Sequence, residues 1–124
     1  MRSYKEAVRG VFKMIIYEIV NSSLKDVKLL DEDVVIQDIE EVIAEFQLVV
    51  TQKTTLSTMR GSIHYHLKQG SKPGVLEVTY WPVKKRLFVE IHDNRLFDWN
   101  RDIILPFAES LAERFGGVVI SQVI

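Results

Sequence analysis

Three short segments in the second half of the chain alternate so strictly that they leave little freedom of fold. In residues 62–68, 75–81 and 86–92 every second side chain is apolar or aromatic and those between are mostly polar, Val75, Trp81 and Phe88 excepted, which is the pattern of a half-buried β-strand. Gln69-Gly70-Ser71-Lys72-Pro73-Gly74 joins the first pair and Pro82-Val83-Lys84-Lys85 the second; both stretches have turn composition. Setting Leu67 opposite Leu76, and Leu76 opposite Ile91, brings Ile63, Tyr65, Leu67, Leu76, Val78, Tyr80, Leu87, Val89 and Ile91 onto one face. A slip of one residue would turn all of them into water, so the register is strongly specified. The segments therefore read as an antiparallel β-meander over about 62–92.

The first half has a different grammar. No Gly or Pro occurs between Gly10 and Gly61, which favours helix. Residues 3–21 predict a helix: Ser3 and Glu6 fit a capping box. Apolar residues at Tyr4, Ala7, Val8, Val11, Phe12, Ile15, Ile16, Ile19 and Val20 follow a helical stripe. A second helix is expected at about 33–46, then a strand at 47–53 and a connection at 54–61. After the meander a third helix is expected, capped by Asp98 or Asp102, with Pro106 marking a kink or a start near Leu105. Gly116-Gly117 would end it, and Val118–Ile124 reads as a final strand at a sheet edge or a subunit contact. The expected fold class is α+β: a single two-layer domain over 1–124, with helices from both terminal regions packed on the apolar face of the meander.

Composition excludes several functions. The 124 residues contain no cysteine, so disulfides, thiolate catalysis, Cys-type zinc sites and iron–sulfur clusters are ruled out. Sixteen Lys+Arg against seventeen Asp+Glu leave a formal charge of -1, and bulk charge does not point to nucleic acid or an anionic membrane. No apolar run approaches the ~20 residues needed to span a bilayer. Charged residues Glu6, Arg9, Lys13 and Glu18 interrupt any secretory h-region. The expected location is cytoplasmic. There is no nucleophile elbow, phosphate-binding glycine loop or H-E-x-x-H.

Chemistry concentrates on the other face of the meander. The register sets His66 beside Glu77 and Glu77 opposite Glu90, with His64 on the same face and His92 diagonal to Glu77. Imidazoles and carboxylates together suit a divalent transition metal, and two facing carboxylates gain from a cation between them. No cofactor is required by the sequence, but His64, His66, Glu77, Glu90 and His92 are candidate ligands for a divalent metal. The same residues could also serve general acid–base catalysis. The ordinary alternative is a polar, solvent-facing or dimer-facing surface.

Two further groups are candidate binding residues. Lys84, Lys85 and Arg86 at a hairpin tip lie beside Trp81 and Phe88, a basic and aromatic combination that can hold phosphates and stack bases. A solvated turn with Trp81 over the Arg86 stem is the plainer reading. Trp99, beside Phe97, is a pocket wall or a lid over the sheet end. The segment from Leu29 to Gln52 carries seven acidic residues and no Lys or Arg, and the β-rich half is locally basic. The expected function is a non-catalytic binding or protein-interaction module, a homodimer through the apolar surplus of Val75, Trp81, Phe88 and Val118–Ile124. A metal- or His/Glu-dependent enzyme is the alternative, and a nucleic-acid binder through the hairpin tip a second.

Overall fold

A computed structural model describes residues 14–26 and 31–123. One six-stranded antiparallel sheet carries the fold, in the order β2-β3-β4-β5-β1-β6. Its strands are β1 (Met14–Val20), β2 (Val49–Thr54), β3 (Ile63–Lys68), β4 (Leu76–Trp81), β5 (Arg86–His92) and β6 (Val118–Val123). Helix α1 (Glu32–Glu45) links β1 to β2, and α2 (Asp98–Phe115) links β5 to β6. The fold is α+β, with both helices on one face of the sheet.

The meander has the expected register: Leu67 faces Leu76, and Glu77 faces Glu90. Its apolar face is the core. Tyr65, Leu67, Leu76, Val78, Leu87, Val89 and Ile91 are buried there beneath Val35, Ile39 and Val42 of α1 and Ile104, Phe107 and Leu111 of α2. Phe46, just past α1, meets Phe107 edge-on at 5.3 Å. Three acidic residues of α1 (Asp38, Glu41 and Glu45) converge on Arg114 of α2, at 3.0, 2.7 and 3.0 Å. The acidic segment thus finds its main counter-charge on the neighbouring helix rather than on the meander.

The expected first helix is overturned over 14–20, where the chain is strand β1; residues 3–13 of that expectation lie outside the described residues. The physical reason is position. Strand β1 lies between β5 and β6, with Ile15, Tyr17 and Ile19 on one face and Ile16 and Glu18 on the other, and both faces carry buried residues: Ile19 on the first, Ile16 and Glu18 on the second. A strand buried on both sides loses its polar alternation, and the doublets Ile15-Ile16 and Ile19-Val20 then imitate helical spacing.

The start of α2 also differs from expectation. Neither Asp98 nor Asp102 caps it. Phe97 occupies the cap position, and Asn100 reaches back to accept a hydrogen bond from its backbone N–H at 2.9 Å. Pro106 lies inside the helix rather than starting it, and Gly116 ends it in the left-handed region at φ 69°.

Candidate functional site

The cluster lies where β3, β4 and β5 run side by side on the face away from the helices. The pairings His66↔Glu77 and Glu77↔Glu90 place three chemistry-bearing residues in one row across the sheet. His64 pairs with Thr79 in the next row. His92, at the end of β5, and Arg95, in the following turn, close the row from one side.

Glu77 is the hub. His64 Nε2 lies 2.9 Å and His66 Nε2 3.7 Å from its Oε1, while His92 Nε2 lies 3.4 Å and Arg95 3.6 Å from its Oε2. The carboxylate is only 4% exposed and the neighbouring Glu90 9%. Thr79 and His64 are buried as well. This face is therefore not the solvent-facing one that simple alternation suggests. Its centre is as dry as the core, and there polar groups are stable only when partnered.

The electrostatics of the two carboxylates diverge. Burial alone would raise the Glu77 pKa, but the hydrogen bond from His64 and the charges of the three imidazoles outweigh it and hold the carboxyl below its usual range. Glu90 moves the other way: burial raises its pKa, and the nearby Glu77 charge raises it further. Burial lowers the His66 pKa against the pull of Glu77, which keeps that imidazole neutral and its lone pair available near pH 7.

His64 has a tautomer choice. Its Nδ1 lies 2.7 Å from Thr79 Oγ1, and a hydroxyl can donate or accept. When Thr79 donates to Nδ1, Nε2 carries the proton and donates to Glu77. When the hydroxyl turns to accept from Nδ1–H, the Nε2 lone pair faces the Glu77 carboxylate. At 2.9 Å that second arrangement is repulsive unless a proton or a metal ion joins the two atoms.

The spacing suits such a cation. One donor atom from each of His64, His66 and Glu77 lies within 4.8 Å of the others, and the same holds for Glu77, Glu90 and His92. Tetrahedral zinc with bonds near 2.0–2.1 Å sets its ligand atoms about 3.3 Å apart. The separations of 2.9 and 3.7 Å from Glu77 Oε1 to His64 and His66 bracket that value, and His92 lies 3.4 Å from the other oxygen, Oε2. The candidate ligands His64, His66, Glu77, Glu90 and His92 are thus all brought together.

The second group of candidates is dispersed. Arg86 is held by Glu18 of β1 through two hydrogen bonds, Nε at 2.8 Å and Nη2 at 2.9 Å, and Gln122 of β6 donates to the same carboxylate at 2.6 Å. Its guanidinium lies over Phe88, 5.0 Å from the ring centre, and Trp81 is its cross-strand neighbour. Phe88 is buried, whereas Trp81 is half-buried and donates its indole N–H to Arg60 O at 2.9 Å. Lys84 and Lys85 are exposed at the tip. Trp99 donates to Pro73 O at 2.7 Å and walls an open cleft of about 590 Å³ with Lys72, Pro73, Leu96, Phe97 and Arg101. Gly74, at φ +104°, permits this arrangement, because a Cβ there would lie 2.9 Å from Phe97 and 3.0 Å from the Trp99 indole nitrogen.

Three residues escape the sequence reading. Thr79 was within reach, since the register that faces His66 with Glu77 also faces His64 with Thr79. Arg95 lies past the last strand, in a turn with no periodicity to project its side chain. Glu18 was hidden by the misread first segment.

The comparisons with known proteins address the fold. No protein-family description and no curated protein matches the sequence. The structure is similar to the crystal structure of the adenosylmethionine decarboxylase from Aquifex aeolicus VF5. The TM-score is 0.51 at 10% sequence identity, over 90% of this chain and 86% of that one. At that identity the likeness is one of α+β architecture and carries no activity with it. Among the described residues, no helix is long and apolar enough to cross a membrane.

Proposed function

We propose that this protein is a metal-binding module that holds one divalent first-row transition ion on the outer face of its sheet. His64, His66 and Glu77 are the core ligands, with His92 and Glu90 at the border. A single observation carries the reading: two buried carboxylates face each other across adjacent strands, Glu77 within ligand distance of three imidazoles and Glu90 of one. Like charges directly opposite in a sheet are destabilising, and burial raises that cost. A divalent ion offsets it, and imidazole nitrogen selects transition metals over magnesium or calcium. Thr79 completes the site by accepting from His64 Nδ1–H, the outer-shell bond that metal-ligating histidines habitually make.

The test uses tag-free protein stripped with chelator and titrated with zinc. One equivalent bound, a rise in Tm, and loss of both in His64→Ala and Glu77→Ala with folding intact would support the reading. No stoichiometric uptake and no thermal shift would remove it. A stripped protein that keeps a turnover dependent on His66 and Glu77 would instead favour metal-free general acid–base chemistry.

A second reading, self-association, is supported by β6. This edge strand leaves Val118 and Ile120 exposed beside a row of backbone groups that pair on one side only among the described residues. Such edges template strand addition. Sedimentation showing a concentration-dependent dimer, lost in Ile120→Lys, tests it; a monomer at high micromolar concentration would exclude it.

A further inference from the structure

We propose that the ion in this site keeps an open position for a small carboxylate ligand, and that Arg95 binds the ligand's second oxygen. The inference deepens the metal-binding reading and depends on it.

Arg95 is built as a fixed base with a movable head. Its backbone carbonyl accepts a hydrogen bond from Asn100 Nδ2 at 2.8 Å, and the same amide group donates to Val75 O at 3.0 Å. Asn100 is itself fully buried, so the turn is tied both to the start of α2 and to the chain leading into β4. The guanidinium, by contrast, is 41% exposed and reaches Glu77 Oε2 only at 3.6 Å. A pair meant solely to neutralise Glu77 would use the planar two-bond geometry open to Arg and carboxylate. The molecule makes that geometry elsewhere, between Arg86 and Glu18, at 2.8 and 2.9 Å.

Charge gives the ligand class. A divalent ion is balanced by Glu77 and Glu90, the imidazoles bind as neutral ligands, and Arg95 leaves one positive charge over. His64 and His66 meet Glu77 Oε1 while Arg95 meets Oε2, so an ion held on Oε1 leaves the half-exposed guanidinium beside it at the mouth of the site. An anion with two oxygens can place one on the ion and the other on Arg95. A carboxylate has that spacing and matches the guanidinium fork.

The experiment uses the intact protein loaded with cobalt(II), whose visible bands report coordination, titrated with acetate. Saturable acetate-dependent band shifts are expected in the wild type. Arg95→Ala should weaken acetate about tenfold or more while cobalt binds as tightly as before or tighter, because a like charge has been removed. Arg95→Lys should restore part of the acetate affinity. These opposite signs on ion and anion are not what a merely structural Arg95 would produce. No acetate effect on the bands, or equal acetate affinity in wild type and Arg95→Ala, overturns the proposal while leaving the metal reading standing. Absence of cobalt bands before acetate is added overturns both.

Discussion

The two faces of β3, β4 and β5 are equally dry at their centres and achieve it by opposite means. On the helix side, Leu67, Leu76, Val78, Leu87, Val89 and Ile91 are buried among apolar neighbours. On the other side, His64, Glu77, Thr79 and Glu90 are buried among one another. The first arrangement gains from removing apolar area from water. The second loses hydration and recovers part of it through polar contacts, the shortest being His64–Thr79 and His64–Glu77 at 2.7 and 2.9 Å. An apolar core explains itself through stability. A buried polar row with two carboxylates in it does not, and this asymmetry is what supports the proposed ligand on that face.

The largest effect should come from the helix side. Leu67 is fully buried in the core, and Leu67→Ala removes its transfer free energy and leaves a cavity. The expected loss is about 2–5 kcal/mol, read from urea unfolding with and without zinc. Zinc should stabilise the variant by the same increment as the wild type. An increment that vanishes would mean that the two faces are not independent.

Next in size is Thr79→Val, an isosteric change on the polar face. It removes the hydroxyl that sets the His64 tautomer, so zinc affinity should fall about 10–100-fold, while Thr79→Ser keeps the hydroxyl and most of the affinity. Competition against a zinc-sensitive dye measures both. Equal losses in Val and Ser variants would assign the effect to packing instead.

How much of this was legible in the sequence follows from what each residue's neighbours are. The meander and its register could be read because one face meets helices and the other does not carry matching apolar residues, so alternation survives. That register alone assembled His64, His66, Glu77, Glu90 and His92. Strand β1 could not be read, because apolar residues on both its faces erased the alternation and left Ile15-Ile16 and Ile19-Val20 to mimic a helix. Glu18, the acid that ties down Arg86, disappeared with it, and the hairpin tip then looked more freely basic than it is. Arg95 was invisible for a different reason. A turn has no period, and only the pinned backbone at Asn100 aims that side chain. The burial of the outer face also escaped, since alternation tells which side meets the helices and not how wet the other side is.

Glu90 tests the cost of that dry polar row. Burial and the Glu77 charge raise its pKa above the ordinary 4.5. The fold therefore prefers the protonated carboxyl. That contribution is fully present below the ordinary carboxylate value and is lost as pH rises through the raised one. Ionising Glu90 therefore costs the ion-free protein stability. Glu90→Gln should accordingly gain about 0.2–1 kcal/mol at pH 7 in chelator, and the gain should shrink as pH falls toward the carboxylate range. Urea midpoints at several pH values give the profile. With zinc present the sign should reverse, because the ion no longer meets the second carboxylate. A loss in chelator would show that Glu90 is a stabilising partner and not a strained one.

The smallest effect belongs to the helix-side carboxylate that sits at the surface. Lys53 lies 2.7 Å from Glu40, and the Tyr65 hydroxyl donates to the same oxygen at 2.8 Å. The hydrogen bond from Lys53 is the larger cause and, with that from Tyr65, holds the Glu40 pKa below its ordinary value against a partial burial. The sign is thus opposite to that of Glu90. Glu40 contributes stability above the ordinary carboxylate pKa, and the contribution is lost as pH falls through the lowered one. Lys53 and Glu40 are 47% and 41% exposed, so solvent screens the pair and Glu40→Gln should cost only about 0.2–1 kcal/mol at pH 7. Gln can still accept from Tyr65, which leaves the charge as the main thing removed. The difference from wild type should fade in acid and in 1 M salt. A Glu40→Gln loss that persists at low pH would mean that the Tyr65 hydroxyl, rather than the ion pair, is what Glu40 serves. The contrast between a face that tolerates its carboxylate and one that strains against it would then rest on Glu90 alone.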